Sequence, residues 1–240
     1  TILSRANLAL APHGFRLGPD PASAAACTVG GVIANNASGM CCGTRENTYR
    51  TLESLTFLLP SGTLVDTAAV DAEATFALAE PGPAAGLVAI KPEIEADPEL
   101  AARLRRKFAI KNTTGYHMEA FLDGATPLEI FRRVLVGSEG TLALIVEAVF
   151  GTVRDDQHRA TAFLIFPDMH AACAAVAPFV AEGAAAVELL DRASLRAVAG
   201  RPGVPERWDA LPATATALLV EFRCPDPQAR AAAQARADAI

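Results

Sequence analysis

The sequence predicts an α+β fold with mixed or antiparallel sheet, divided into two successive domains. Strand and helix patterns are interleaved along the chain, and a charged run at residues 154–159 separates two parts whose patterns differ. Of the 240 residues, 51% are hydrophobic, which is enough for a real core; much of this share is alanine, so helices should pack closely. We therefore predict one domain at residues 1–156 and a second at residues 157–240.

The elements of the first domain follow from hydrophobic periodicity and from turn residues. Asp97 and Thr126 each precede a proline, which is typical of a capping residue followed by the first position of a helix. Leu100, Leu104 and Phe108 then recur at the spacing of one helix face. In order, we predict a short helix within 1–12, turns at 14–21, a structured loop with short helical turns at 27–43, a hairpin of strands 52–59 and 63–66, helices at 71–80, at 99–108 and from 126, and one long strand at 141–153.

The second domain shows a regular alternation of strands and helices. The predicted strands are 160–166, 185–190 and 216–222, and the predicted helices are 168–182, 191–199 and 226–239. A loop at 200–212 with three prolines interrupts this alternation. The order β-α-β-α-β-α indicates a small layered domain.

The charge balance excludes several classes of partner. A formal net charge of −6 argues against nucleic acid, which requires a basic surface. The local basic cluster at 103–107 is interpreted as the solvated face of a helix. No apolar run reaches the roughly 18–20 residues that span a bilayer, and no signal peptide is evident. We expect a cytoplasmic protein without a transmembrane segment, with peripheral attachment to the inner membrane left open.

The cysteines and histidines do not form a metal motif. The five cysteines lack a CxxC pair, and the four histidines lack HxH or HxxxH spacing. We interpret the cysteines as reduced thiols and predict no metal site in this segment.

A polar, glycine-rich stretch at residues 20–39 is the first candidate for a binding site. Its glycines allow close approach of the backbone to a ligand, and consecutive N–H groups can form a concave anion site, called a nest. Taken alone, a cluster of structural turns explains the composition as well. The residues of interest are Pro21, Ala22, Ser23, Cys27, Thr28, Gly30, Gly31, Asn35, Asn36, Ala37 and Ser38.

Two further stretches resemble ligand loops. At 136–145 a tight turn leads into an apolar strand and contains Glu139, Gly140, Thr141, Leu142 and Ile145. At 110–116 a polar run lies between two helices, where loops often carry ligands. A plain turn and a plain connection remain alternatives for these two stretches.

Together, the three motifs in this order resemble the vanillyl-alcohol-oxidase/p-cresol-methylhydroxylase flavoprotein superfamily. The loop at 111–116 and the segment 167–198 are similar to its D-lactate and D-2-hydroxyglutarate dehydrogenase branch, in particular to long bacterial proteins fused to an iron–sulfur domain. The resemblance implies part of a PCMH-type FAD-binding domain followed by the start of an α+β, ferredoxin-like cap domain, the FAD-linked oxidase C-terminal domain.

The same resemblance implies a cofactor and a reaction. FAD would lie along the residues named above, gripped by the bends at 28–38 and 137–141 folded side by side. A D-2-hydroxyacid, D-lactate or D-2-hydroxyglutarate, would be oxidised to the 2-oxoacid with hydride transfer to the flavin, and an iron–sulfur domain or quinone would take the electrons. No catalytic residue is assigned: His117 is the nearest candidate, but a lone loop histidine is typically a surface residue.

We also expect this chain to be an internal piece of a longer protein. In the family, a first flavin segment should precede residue 1, and a motif bearing histidine and glutamate should follow residue 240. The piece alone should then bind FAD weakly and should not turn over. Two alternatives stay open: another superfamily member, such as an oxidase or an ether-lipid synthase, and a non-catalytic interaction domain that has lost its flavin.

Overall fold

A computed structural model describes all of residues 1–240, which form two compact units, Thr1–Arg154 and Asp155–Ile240. The division predicted from the sequence, between residues 156 and 157, lies beside this one. Helices and antiparallel strands occur in both units, so the predicted α+β class is confirmed. No helix combines the length and the apolar character needed to cross a membrane.

The first unit contains eight α-helices and five strands. Its helices are α1 (Leu3–Leu10), α2 (Val29–Ala34), α3 (Thr48–Thr51), α4 (Ala72–Ala79), α5 (Pro81–Glu95), α6 (Pro98–Phe108), α7 (Ala120–Asp123) and α8 (Pro127–Leu135), and a 3₁₀ turn at Ala11–His13 follows the first. Its strands are β1 (Phe15–Leu17), β2 (Leu52–Leu58), β3 (Leu64–Asp66), β4 (Leu144–Phe150) and β5 (Thr152–Arg154).

The main core of this unit lies between a three-stranded antiparallel sheet and the helices. The sheet has the order β3-β2-β4, and Phe57 of β2 faces Val65 and Ile145 on its two neighbours. The ring of Phe57 lies 5.5 Å from that of Phe131 on α8, which lies 4.9 Å from Phe76 on α4. Burying each such ring stabilises the fold by roughly 1.5–3 kcal/mol, so these helices are held on one face of the sheet.

One predicted element of this unit is wrong, because the strand expected at 141–153 is interrupted at Gly151. Strand β4 pairs with β2, whereas β5 leaves that sheet and pairs with β1 as a two-stranded ribbon. The N–H of Gly151 donates to the carbonyl oxygen of Thr51 at 2.8 Å, and a Cβ at this position would meet Glu53 Oε1 at 3.1 Å. The glycine therefore marks the point where the chain changes sheets.

The helix starts are largely as predicted. Asp97 and Thr126 cap α6 and α8 by accepting the N–H groups of Leu100 and Glu129. Leu100 was expected on the buried face of α6, but 36% of it is exposed. Helix α5 was not predicted at all.

The second unit contains three strands and three α-helices in alternation. They are β6 (His158–Phe166), α9 (Met169–Ala181), β7 (Ala186–Leu190), α10 (Arg192–Ala197), β8 (Thr216–Cys224) and α11 (Pro227–Ala237), with a 3₁₀ turn at Glu206–Trp208 in the loop before β8. The sheet order is β6-β8-β7, and β8 is antiparallel to both neighbours. The strand that is last in sequence thus lies in the middle, which agrees with the expected start of a ferredoxin-like domain.

Candidate functional site

Two segments that are distant in sequence lie against each other in the first unit. We call residues 28–38 the first bend and residues 137–141 the second bend. The N–H of Gly137 donates to the carbonyl oxygen of Ile33 at 3.0 Å, and the N–H of Glu139 donates to that of Ala34 at 2.8 Å. These two bonds join the end of α2 to the turn that follows α8.

The backbone at this junction adopts conformations that side chains disfavour. Asn36 and Glu139 have positive φ values of 45° and 54°, and Gly137 has 90°. A Cβ on Gly137 would lie 3.3 Å from the Cβ of Asn36, so the two bends pack tightly here. Left-handed conformations in residues other than glycine cost on the order of 1 kcal/mol and cluster at ligand sites.

Asn36 carries an unsatisfied side-chain amide oxygen at the junction. Its residue is 4% exposed, and its Oδ1 is buried without a hydrogen-bond partner. A buried polar atom left unpaired costs roughly 1–3 kcal/mol, and such atoms are rare in native proteins. The first bend is therefore not satisfied by the chain alone.

The backbone N–H groups of the first bend correct one expectation. They do not form a nest of consecutive free donors: Val29 donates to Thr1 O at 2.9 Å, and Gly31 donates to the capping Oγ1 of Thr28 at 3.1 Å. The N–H groups of residues 35–37 are likewise bonded within the chain. Thr28, Gly30 and Ser38 keep an N–H without a partner in the chain, and no two of these residues are adjacent in sequence.

An open groove of about 750 Å³ runs between α1, the first turn of α2 and strand β4. A Cβ on Gly30 would meet nothing within 4 Å, so this wall of the groove is unfilled. The free edge of β4 forms the opposite wall, since β4 pairs with β2 alone. Three of the predicted site residues line the groove: Thr28, Gly30 and Ile145.

The remaining predicted residues of the first stretch divide into exposed and packed positions. Ala22, Ser23 and Asn35 are exposed, whereas Cys27 and Ala37 pack into a small apolar cluster around Leu3, Leu17 and Val32. Pro21 begins a turn by accepting the N–H of Ala24 at 2.9 Å. Cys27 and Ala37 thus shape the loop through packing.

Asp20 closes this loop and was not singled out from the sequence. Its carboxylate accepts the N–H groups of Cys41 and Cys42, each at 3.1 Å. A Cβ on Gly39 would overlap the backbone carbonyl of Asp20, so only glycine fits there. Ser38 Oγ lies 3.1 Å from the sulfur of Cys42, four residues later at the same end of the loop.

In the second bend, Glu139, Gly140 and Thr141 are exposed. The Thr141 hydroxyl donates to the carbonyl oxygen of Ser138 at 2.6 Å and lies 2.8 Å from the hydroxyl of Tyr116. Leu142 instead packs against the main core, so this predicted residue supports the turn from inside. The structure brings the exposed tip of the second bend beside the first bend.

His117 is not the surface residue that the sequence suggested. It is 5% exposed, and its ring stacks between Tyr49 at 3.7 Å and Phe108 at 4.0 Å. Burial lowers the pKa of His117 from 6.5 to about 4, although the neighbouring Glu119 acts in the opposite direction. The imidazole is therefore neutral near pH 7 and sealed by two rings, so it is not placed to act as a base.

A buried ionic cluster surrounds this histidine and was also missed. Glu119, with a side chain only 5% exposed, pairs with Arg50 at 3.0 Å and Arg105 at 2.8 Å. Burial alone would raise the pKa of Asp123, but hydrogen bonds from Arg105 and Tyr49 outweigh burial and hold it below its usual value. Arg105, assigned from the sequence to a solvated face, thus ties α6 to α7.

Comparison with known families gives two matches along the chain. Residues 1–68 match the family described as the FAD binding domain, and residues 155–240 match the C-terminal domain of FAD linked oxidases. The class is therefore that of flavoproteins that use FAD. More narrowly, the match over residues 155–240 is to a domain of FAD linked oxidases, and it follows the FAD-binding match on the same chain.

The fold of this chain is similar to that of solved structures. Two structures of alkyldihydroxyacetonephosphate synthase superpose with TM-scores of 0.60 and 0.58 at 14% sequence identity. Each match covers 99% of this chain and 36% of the other, so this chain spans about a third of the length of that protein. At this identity the likeness establishes the fold alone. No curated protein sequence matches the chain.

The residues of the first unit fit FAD as the cofactor. The groove beside Gly30 is open, the amide oxygen of Asn36 lacks a partner, and the tip of the second bend is exposed. Dinucleotide sites require such features: glycine for backbone approach, and polar groups that the ligand satisfies.

Proposed function

We propose that the protein carrying this chain is an FAD-dependent dehydrogenase that oxidises a D-2-hydroxyacid, D-lactate or D-2-hydroxyglutarate, to the 2-oxoacid. The observation that carries the proposal is the junction of the two bends, where Gly137 and Glu139 donate to the carbonyl groups of Ile33 and Ala34. This junction places the two motifs that resemble flavin segments side by side.

We assign the cofactor contacts to the residues that remain open. Thr28, Gly30 and Ile145 would hold one end of FAD in the groove, and the unpaired N–H groups of Gly30 and Ser38 would donate to it. FAD, when bound, supplies the hydride acceptor. The predicted contacts are Pro21, Ala22, Ser23, Cys27, Thr28, Gly30, Gly31, Asn35, Asn36, Ala37, Ser38, Glu139, Gly140, Thr141, Leu142 and Ile145, of which Cys27, Ala37 and Leu142 would act through packing.

The base that removes the hydroxyl proton is not assigned to this chain. His117, the nearest candidate named from the sequence, is enclosed by Tyr49 and Phe108. We propose that the base is supplied from outside residues 1–240 and that an iron–sulfur domain or a quinone takes the electrons. A cytoplasmic location, with or without attachment to the inner membrane, is part of the same proposal.

A second candidate function is ether-lipid synthesis. It is favoured by the fold likeness to alkyldihydroxyacetonephosphate synthase, which extends over 99% of this chain. The dehydrogenase is preferred because the loop at 111–116 resembles the dehydrogenase branch. A binding module without flavin is disfavoured, because it would have no reason to keep positive φ values at Asn36 and Glu139.

The visible spectrum of the full-length protein tests these alternatives. Flavin absorption bands that bleach on addition of D-2-hydroxyglutarate or D-lactate, but not of the L-forms, are expected. Formation of alkyldihydroxyacetonephosphate by a flavin-loaded protein, without such bleaching, would establish the second function instead. A colourless protein that takes up no FAD would refute both.

A further inference from the structure

Tyr116 lies next to the second bend, and its hydrogen bond has a definite direction. The hydroxyl oxygens of Tyr116 and Thr141 are 2.8 Å apart, and the Thr141 hydroxyl also lies 2.6 Å from the carbonyl oxygen of Ser138. A hydroxyl has one proton, and a carbonyl oxygen can only accept. Thr141 must therefore donate to Ser138, and Tyr116 must donate to Thr141.

Because of this direction, the hydroxyl of Tyr116 can accept a hydrogen bond from a ligand but cannot donate one. Its only O–H proton is used, but its oxygen retains lone pairs. The residue is 43% exposed and stands beside the exposed tip of the second bend, so its oxygen is accessible. It can accept a hydrogen bond from a ligand hydroxyl or N–H group, and it cannot donate one to a phosphate oxygen.

The residues on either side of Tyr116 constrain its backbone. Gly115 before it has a φ of 70°, and its carbonyl oxygen lies near the position that a Cβ on Gly137 would occupy. His117 after it is fixed between two aromatic rings. Because His117 is anchored, the backbone beside Tyr116 is ordered, and the hydroxyl of Tyr116 is presented to the second bend at little cost in conformational entropy.

We propose that Tyr116 is a positioning residue of the cofactor site: it orients Thr141 in the second bend and accepts a hydrogen bond from a hydroxyl or N–H group of the flavin half of FAD. The inference rests on the proposed function. It implies that the pyrophosphate, which offers only acceptors, lies away from Tyr116, on the side of the groove where the N–H of Gly30 is free.

The test is FAD binding by the full-length protein with Tyr116→Phe, Thr141→Val and the double variant. Tyr116→Phe should raise the Kd for FAD by about three- to tenfold, the worth of one or two hydrogen bonds, and should leave the melting temperature of the apoprotein unchanged. Thr141→Val should have a similar effect. The double variant should show less than the sum of the two, since the residues act as a unit.

The chain offers a matched control, because Tyr49 is its only other tyrosine. Tyr49→Phe removes the hydroxyl that donates to Asp123 at 2.9 Å, and it should lower the melting temperature without changing the Kd for FAD. Equal Kd values for wild type and Tyr116→Phe would overturn the inference and leave the proposed function standing. Failure of the wild-type protein to bind FAD would overturn both.

Discussion

The N–H of Glu139 donates to the carbonyl oxygen of Ala34 over 2.8 Å, across the junction of the two bends. Its neighbouring bond, from Gly137 to Ile33, runs in the same direction. The residues that make these bonds are held by helices α2 and α8, so the geometry of the site depends on the packing of those helices. Substitutions at the junction should therefore affect stability and cofactor binding together.

Gly137→Ala is expected to destabilise the first unit by about 1–3 kcal/mol. The substitution places a Cβ at a φ of 90° and at 3.3 Å from Asn36. Gly86→Ala is the control: it lies inside α5 with open space around it, and alanine should stabilise the helix there by about 0.5–1 kcal/mol. Urea unfolding of the two variants measures both effects, and equal stabilities would contradict a tight junction.

Substitutions at two other glycines, Gly30 and Gly39, should have different effects, because in our proposal one glycine serves cofactor binding and the other serves the fold. A Cβ on Gly30 would point into open space beside the groove, whereas one on Gly39 would overlap the carbonyl of Asp20. Gly39→Ala should therefore cost about 3 kcal/mol or more in unfolding free energy. Gly30→Ala should leave stability equal or slightly higher, yet weaken FAD binding by the full-length protein at least about tenfold, because the methyl group occupies space reserved for the cofactor.

One result would contradict the binding role of Gly30. If Gly30→Ala binds FAD as tightly as the wild type, the groove beside α2 is not the cofactor site. A loss of stability in Gly30→Ala would show instead that this glycine serves the fold. Fluorescence quenching of FAD and thermal melting of the same samples distinguish the two cases.

Local signals explain why much of the fold was predictable. Asp97, Thr126, Asp168 and Asp226 each accept a backbone N–H three residues later, so the helix starts depend on neighbours in sequence. The hairpin at Pro60–Gly62 is likewise a local turn. Helix α5 was missed because Pro81, Gly82, Pro83, Gly86 and Pro92 read as helix breakers, although a proline in the first turn loses no helical hydrogen bond.

Features that depend on distant residues were not predictable in this way. The rings that enclose His117 come from Tyr49 and Phe108, and no periodicity relates the three. The carbonyl oxygen of Thr51, which accepts the N–H of Gly151, is also distant in sequence. In the sequence, a single glycine was therefore the only sign of the strand break. In the candidate site, the order of the motifs indicated the two bends. The partners of individual N–H groups could be identified only from the folded chain.

The buried histidine predicts an acid-sensitive stability. Burial lowers the pKa of His117 to about 4 from the ordinary 6.5, so the unfolded chain binds this proton more tightly than the folded one. The free energy of unfolding should be unaffected by His117 above about pH 6.5 and should fall as the pH is lowered to about 4. The expected loss across this window is on the order of 3 kcal/mol.

Chemical unfolding between pH 7 and pH 4 measures this slope in the wild type and in His117→Phe, which keeps the ring stack without the titrating nitrogen. The slope should be largely absent from the variant. His13→Asn is the control, since His13 is exposed and its loss should leave the slope intact. A wild-type slope that survives in His117→Phe would assign the acid sensitivity to other groups, for example the carboxylates that titrate at the lower end of this range.

The last prediction concerns the charge of Glu119. This carboxylate is buried and accepts from Arg50 and Arg105, so Glu119→Gln leaves two guanidinium groups with half of their acid partners. Both arginines are partly exposed and can regain water, which limits the expected loss to about 2 kcal/mol, below the 3–5 kcal/mol of a fully buried pair.

Glu182→Gln is the matched substitution, because its pair with Arg236 is exposed on both sides and should be worth less than about 1 kcal/mol. Urea unfolding at neutral pH compares the two variants. Equal losses would mean that the cluster between α6 and α7 is held by its rings and not by its charges.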